Sequence, residues 1–389
     1  MPEYPHILFR RQWDLLPNTM FDLGQCDAII EAISGTPILP EYHENLLEIS
    51  LTKGAQATTA IEGNTLSLDE VRRVSAGEPL APSKEYQEIE VRNILDGFNT
   101  ILSEAVTDGK GDLISPGLIR RFHQMIGKGL GAHFDAIPGQ FRNDRRVVGP
   151  YLTPDHSDVP ELLDQLCKWI KEEFRYNAGQ TMAEAIVQAI VTHVYIEWIH
   201  PFGDGNGRTG RLVEFYILIR AGSPDIASHI LSNHYNETRP EYYRLLQRAN
   251  QERDLTCFLE YAVQGFRDGL LNTLRTVQKS QAAMSWQKLI HDRFADRKMT
   301  NKNSFVRQRA LMLELPPTPI ALRAIKRIHP TIEVLYSQVT ERTVRRDLEA
   351  LEEMDLVVHE EGGWRAKMEL LGSSLAGRRK RPMGSERKG

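Results

Sequence analysis

One run of twelve residues gathers most of the reactive side chains this 389-residue chain could use: His200-Pro-Phe-Gly-Asp-Gly-Asn-Gly-Arg-Thr-Gly-Arg211. Gly203, Gly205 and Gly207 carry no side chain, so their backbone N–H groups can come close to a ligand. A helix is expected to start near Arg208, and the N–H groups at a helix N-terminus make a ready anion site. Arg208 and Arg211 are three apart, hence on one helix face, and two guanidinium forks there suit a polyphosphate. Asp204 supplies a hard oxygen ligand for Mg²⁺ beside those phosphates. His200, at the end of the preceding helix, is held in place, and imidazole is the usual general base near neutral pH. Each feature alone has an ordinary explanation: a capping histidine, a glycine turn, a solvated arginine pair. Base, metal ligand, anion nest and paired arginines in one uninterrupted run argue instead for chemistry at phosphorus.

The elements that must position this run are mostly helical. From Thr181 to Ile199, apolar residues recur at Ile186, Ile190, Val194 and Trp198, with Val187, Val191 and Tyr195 beside them, which predicts a core helix. Pro201 ends it, because proline disfavours helical geometry in the residue before it. After the loop, Leu212, Phe215, Tyr216 and Ile219 mark a second buried helix, closed by Gly222 and Pro224. Upstream, one helix is expected from about Glu41 to Thr59, stopping at Gly63-Asn64. Ser67 and Glu70 form a capping box for the next. Ser83 to Ala105 predicts another helix, Asp108-Gly-Lys-Gly111 a loop, and Ser115-Pro116 the start of a short helix at Gly117. Between Gly139 and Pro154 the pattern changes: Arg145-Arg-Val-Val148 followed by Gly149-Pro150 reads as a small hairpin. Asp158-Val159-Pro160 then opens a helix running to Phe174. A composition shift at Val277 to Thr300 is read as linker plus entry helix. Beyond Pro316-Pro317 comes a smaller unit, with Val344, Leu348 and Leu351 on one helix face. Its two-strand wing is formed by Leu356-Val-Val358 and Gly362-Gly-Trp364.

The twelve-residue run resembles the signature of the Fic family of AMP-transferring enzymes, His-Pro-Phe-x-Asp/Glu-Gly-Asn-Gly-Arg-x-x-Arg, with every fixed position present. The resemblance extends over roughly Ala57 to Phe266. It implies that His200 takes the proton from a Ser, Thr or Tyr hydroxyl of a target protein, which attacks the α phosphorus of ATP while pyrophosphate leaves. Asp204 would hold Mg²⁺ on the α and β phosphates. Asn206 and the backbone of Gly205 and Gly207 would hold their oxygens, Arg208 would contact the phosphates, and Arg211 would reach the γ phosphate. Gly139-Gln-Phe-Arg142 and Val147-Val148 resemble the target-binding flap. Arg239 to Asn250 resembles the adenosine wall, with Tyr243 and Asn250 as base and ribose contacts. Thr58-Thr-Ala-Ile-Glu62-Gly63-Asn64 resembles the family's inhibitory motif, in which a carboxylate takes the guanidinium the γ phosphate would use. The expected fold is mainly α, a Fic-type helical bundle with a small β-hairpin flap and a C-terminal winged helix-turn-helix domain.

The resulting organisation is an N-terminal helical region (1–112), a catalytic core (113–275), a linker with connecting helices (276–315), a winged-helix domain (316–370) and a basic tail (371–389). In the winged helix, Arg342, Thr343, Arg345 and Arg346 could face DNA, against the neighbouring charges of Glu341, Glu349, Glu352, Glu353, Glu360 and Glu361. A net charge of −4 gives no global pull toward nucleic acid. No apolar run approaches a membrane span, and Met1 to Arg10 lacks the features of a signal peptide. Cys26, Cys167 and Cys257 are widely spaced and read as thiols in a reducing cytoplasm. The function expected is an autoinhibited protein adenylyltransferase using ATP and Mg²⁺, with a hydroxyl-bearing protein as target, itself included, and homodimerisation as in other Fic proteins. The alternatives are AMP removal by the same site, or a DNA-binding regulator that senses nucleotide.

Overall fold

The computed structural model describes residues 4–108, 114–174, 180–295 and 301–376. Two compact units divide the chain, Met1–Val277 and Gln278–Gly389. The first unit opens with α1 (Pro17–Ser34), α2 (Pro40–Ile61), α3 (Leu68–Ser75), α4 (Glu85–Asp108) and α5 (Pro116–Ile126). A hairpin of β1 (Val147–Val148) and β2 (Tyr151–Leu152) follows, then α6 (Val159–Glu173), α7 (Met182–Ile199), α8 (Asn206–Arg220), α9 (Ile230–Glu237), α10 (Arg239–Glu252) and α11 (Thr256–Ala295). The second unit adds α12 (Lys302–Glu314), α13 (Pro330–Tyr336), α14 (Glu341–Glu352), β3 (Val357–Glu360), β4 (Gly363–Ala366) and α15 (Glu369–Ala376). The fold is thus mainly helical, and both small sheets are antiparallel pairs.

α7 and α8 form the central pair of the first unit. Thr181 and Glu184 cap α7 reciprocally, and almost every residue from Ala185 to Ile199 is buried. A helix apolar on all sides must lie inside a core. α8 is buried from Asn206 to Ile219, and its first turn is polar, so charges are carried into the interior there. Aromatic contacts lock the pair to the outer helices: Phe215 lies on Phe98 with ring centroids 4.5 Å apart, and Tyr216 meets Phe122 edge-on. α2 packs on α4 and α9 and touches α8, which brings its C-terminal end to the loop.

The capping box at Ser67 and Glu70, the helix opening at Ser115-Pro116, and the hairpin at Val147-Val148 form as read from the sequence. Two expectations are refined. Of the linker plus entry helix expected at Val277 to Thr300, the helix is α11, which runs unbroken to Ala295 and buries Trp286, Ile290 and Phe294. α8 begins at Asn206 rather than near Arg208, which places Arg208 inside the first turn. The expected loop at 109–111 and the basic residues of the tail lie outside the described residues.

In the second unit Val344, Leu348 and Leu351 are fully buried. β3 and β4 pair from Val357↔Ala366 to Glu360↔Gly363. Asp347 is buried on α14 and ties three elements together. It accepts from Ser304 Oγ (2.9 Å), Arg307 Nε (2.9 Å) and Gln308 Nε2 (3.0 Å) of α12, and from the Tyr336 hydroxyl of α13 (3.2 Å).

Candidate active site

α7 ends at Ile199, and His200 turns the chain with φ 49° and ψ 60°. That left-handed geometry costs a residue with a β-carbon about 1–2 kcal/mol, so neighbouring contacts must hold it. Arg142 Nε donates to the His200 carbonyl at 2.7 Å. The loop then closes on itself through Asn206, whose side chain accepts from the Phe202 N–H and donates to the Phe202 carbonyl, both at 2.9 Å. From α5, His123 Nε2 donates to the Asp204 carbonyl (3.0 Å) while Nδ1 accepts from the Gly139 N–H (2.9 Å). Its ring stacks on Phe202 at 3.7 Å. Burial lowers the His123 pKa to about 4, so the ring stays neutral, as this donor–acceptor pattern requires. Gly205 precedes α8 with φ 79°, where a β-carbon would meet Ile126 and Phe134 at 2.9 Å.

No side chain caps α8, and the first-turn N–H groups of a helix have no acceptor within it. Glu62, just past the end of α2, lies beside that first turn. Its Oε1 accepts from Arg211 Nη2 at 2.6 Å, and the same nitrogen donates to the Thr58 carbonyl at 3.0 Å. The carboxylate lies against Gly207, where a β-carbon would collide with Glu62 Oε1 and crowd Arg211. Burial pushes the Glu62 pKa up, but the charges of Arg211, Arg208 and Arg239 outweigh it and hold the carboxyl below its ordinary value. Arg211 is 1% exposed, and its Nε and Nη1 have no partner among the described residues. Buried donors of that kind are costly unless something accepts from them.

Arg208 pairs with Asp204 Oδ1 at 2.8 Å and with Glu90 of α4, and its Nε is also buried without a partner. Glu90 in turn accepts from Asn64 Nδ2 at 3.0 Å, which fixes the turn that carries Glu62. His200 Nδ1 faces the Glu197 carbonyl at 3.4 Å. A carbonyl only accepts, so the proton belongs on Nδ1 and Nε2 keeps its lone pair. Burial lowers the His200 pKa to about 4, with Arg142 adding to the effect, and the imidazole is neutral at physiological pH. Glu197 is moved the other way, up to about 7, by burial and by the charge of Glu62.

The structure brings His200, Asp204, Gly205, Asn206, Gly207, Arg208, Arg211 and Glu62 together. It gives the Asn206 side chain to loop closure, leaving that residue's backbone N–H for an anion. Tyr243 is 45% exposed, with its hydroxyl on the Ile61 carbonyl (3.3 Å) and Arg239 over its ring, while Tyr242 is buried on His193 Nε2 (2.9 Å). Asn250 follows two turns later on α10 and is half-buried. Val147 and Val148 are exposed on the hairpin. Reading the sequence did not single out Glu90, His123 or Glu197. Nothing distinguishes Glu90 from its neighbours Glu85 and Glu88, and His123 is a lone histidine on an amphipathic helix.

Asp204 is the carboxylate available to a cation. Its side chain is 30% exposed and already holds Arg208 and the Gly205 N–H. Among the described residues no three His, Cys, Asp or Glu side chains converge as a metal site. One carboxylate fits Mg²⁺ that arrives with phosphate oxygens, the usual arrangement for that ion. A separate groove of about 810 Å³ opens between α2, α9 and α11, lined by Lys53, His229 and Asn272 among others, and shares no residue with the loop.

Comparison with known proteins finds relatives in sequence and in fold. The chain is 31% identical over 204 residues to protein adenylyltransferase fic-1 of Caenorhabditis elegans, covering 52% of this chain and 37% of that protein. It is 30% identical over 207 residues to protein adenylyltransferase Fic of Aedes aegypti, covering 52% and 38%. The chain therefore spans well under half the length of these curated relatives. A Fic family protein from Desulfovibrio desulfuricans shares the fold, with a TM-score of 0.55 at 21% identity over 92% of this chain and 98% of that one. Caenorhabditis elegans Fic-1 superposes with a TM-score of 0.53 at 25% identity, covering 69% and 74%. The Fic/DOC family model matches residues 113–218, the segment that holds α5, the hairpin, α6, α7, the loop and most of α8.

Proposed function

We propose that this protein is an autoinhibited adenylyltransferase that moves AMP from ATP to a protein hydroxyl. The observation that carries the reading is Arg211: a buried guanidinium at the mouth of α8, with idle donors and an acidic side chain where a phosphate would bind. ATP displaces Glu62, and its γ phosphate takes Arg211. The β and α phosphates lie along the first-turn N–H groups of α8 and on Arg208. Asp204 would hold Mg²⁺ beside those phosphates, and the ion would supply charge neutralisation there. Neutral His200 takes the proton of a Ser, Thr or Tyr hydroxyl on Nε2. The hydroxyl oxygen bonds to the α phosphorus as the bond from that phosphorus to the bridging oxygen breaks, and pyrophosphate leaves. The work of the site is positioning and charge stabilisation. Tyr243 and Asn250 line the adenosine, and Val147-Val148 receives the target strand through its backbone. Three free thiols accord with a cytoplasmic setting.

The test is intact mass after incubation with ATP and Mg²⁺. Glu62→Gly should gain one adenylyl group per modified hydroxyl, and Glu62→Gly combined with His200→Ala should gain none. Equal gain by both variants overturns the assignment of the base, and gain by neither overturns the activity. AMP removal by the same site is the second enzymatic reading, and release of AMP from a pre-modified chain distinguishes it. For the C-terminal unit we propose a winged helix that contacts DNA, because Arg342, Arg345 and Arg346 are all exposed on α14. An unaltered gel shift after replacing all three with alanine would exclude it.

A further inference from the structure

Arg142 is 6% exposed, and its guanidinium is spent on backbone carbonyls. Nε donates to His200 O (2.7 Å), Nη1 to Asp144 O (2.5 Å) and Nη2 to Pro154 O (2.7 Å), and Nη2 also reaches Ile199 O at 3.5 Å. The Arg142 backbone N–H adds a bond to Pro201 O at 3.0 Å. These acceptors fall into two groups. Ile199, His200 and Pro201 form the end of α7 and the start of the loop. Asp144 and Pro154 flank the hairpin, one before β1 and the other after β2.

The hairpin needs an external hold. Each strand has two residues, and Val147, Val148 and Leu152 are exposed. A two-stranded pair of that size is marginal in water. Its second tether runs to the same helix end, from the Tyr151 hydroxyl to Trp198 O at 2.6 Å. His200 needs a hold as well, because its backbone is left-handed and proline follows it.

We propose that Arg142 is a positioning residue for the transfer: one planar fork fixes the backbone of His200 and both legs of the hairpin at a set spacing. A target segment lying on the hairpin then presents its hydroxyl to the imidazole. The inference rests on the reading of His200 as base and of the hairpin as target dock. Guanidinium suits the task because its donors diverge in one plane. A lysine ammonium has one charged centre and cannot span both groups. An error near 1 Å between nucleophile and base costs about 100-fold in rate.

The test places Arg142→Gln and Arg142→Lys in the Glu62→Gly background. AMP transfer from labelled ATP should fall about 100-fold in kcat, while KM for ATP is unchanged because the phosphate cradle is untouched. Lysine should restore little of the rate. Hydrogen exchange provides a readout independent of activity: amides between 144 and 153 should lose protection in Arg142→Gln, while those of α7 and α8 keep theirs. Unchanged kcat, or kcat and KM for ATP moving together, overturns the proposal. If Glu62→Gly itself transfers no AMP, the adenylyltransferase reading has failed. Exchange still decides the tether: lost hairpin protection supports it, and retained protection overturns it.

Discussion

Replacing Glu62 with glycine removes the carboxylate that Arg211 holds at 2.6 Å. While the pair exists, a γ phosphate reaches Arg211 only by displacing it. A hydrogen bond between charged groups contributes about 1.5–3 kcal/mol net, and 1.4 kcal/mol is a factor of ten, so release should raise transfer roughly 10- to 100-fold. The middle of that range is the better expectation, because Arg211 is 1% exposed but Glu62 is 29% exposed, so solvent screens the pair in part. The same change has an opposite effect on folding. Arg211 is left with Thr58 O and buried charge, and breaking a buried pair costs about 3–5 kcal/mol. The ligand-free variant should therefore melt below wild type, and ATP with Mg²⁺ should raise its melting temperature more than that of wild type. The assay is labelling from α-labelled ATP alongside thermal unfolding with and without nucleotide. Equal labelling rates in a folded variant, together with equal nucleotide shifts, would refute the claim that Glu62 and phosphate compete for one guanidinium. The pH sense follows from the depressed Glu62 pKa. The pair is intact at and above neutral pH and is lost only as pH falls through that lowered value.

In the Glu62→Gly variant, transfer should be flat through neutral pH and fall only well below 6.5, because burial lowers the His200 pKa and the variant removes the Glu62 charge that raises it. A midpoint at 6.5 in the pH–rate profile would mean that the imidazole is not buried as described. Asp204→Ala should raise the Mg²⁺ concentration needed for half-maximal transfer while leaving the circular dichroism spectrum unchanged. Gly205→Ala, at φ 79° and against Phe134, should destabilise the fold by about 1–3 kcal/mol in denaturant unfolding. Asp347→Ala removes the acceptor shared by Ser304, Arg307, Gln308 and Tyr336, and should cost the second unit about 3–5 kcal/mol, read as an earlier unfolding transition.

The loop and its two flanking helices were legible because local rules decide them, whereas Glu62 was singled out only by resemblance to a family motif. Periodicity marks α7, Pro201 ends it, and glycines mark the turn into α8. The capping box of α3 is likewise local. What the sequence could not show was partnership across the fold. Glu90 reaches Arg208 from 118 residues away, and His123 reaches the Asp204 carbonyl from 81. Arg142 was visible within Gly139-Gln-Phe-Arg142, but its acceptors are carbonyls, which every residue has and no sequence pattern reveals. The double use of Asn206 was hidden for the same reason. The composition shift after Val277 signalled an entry helix but not that it continues α11 without a break, since a change in composition marks a new core and not a helix boundary.

Glu62 sits one residue past a 22-residue helix, and Gly63 follows it in a conformation that lets the chain leave at once. The arm is therefore fixed and only its fingertip has to move. Turning the side chain needs only its pair with Arg211 to open, whereas shifting a packed helix is a collective motion that takes microseconds or longer. On the autoinhibited reading proposed above, the resting state is then set by how often the fingertip is in place, through competition for its grip or stiffening of the turn behind it, and needs no rearrangement of the body that carries it.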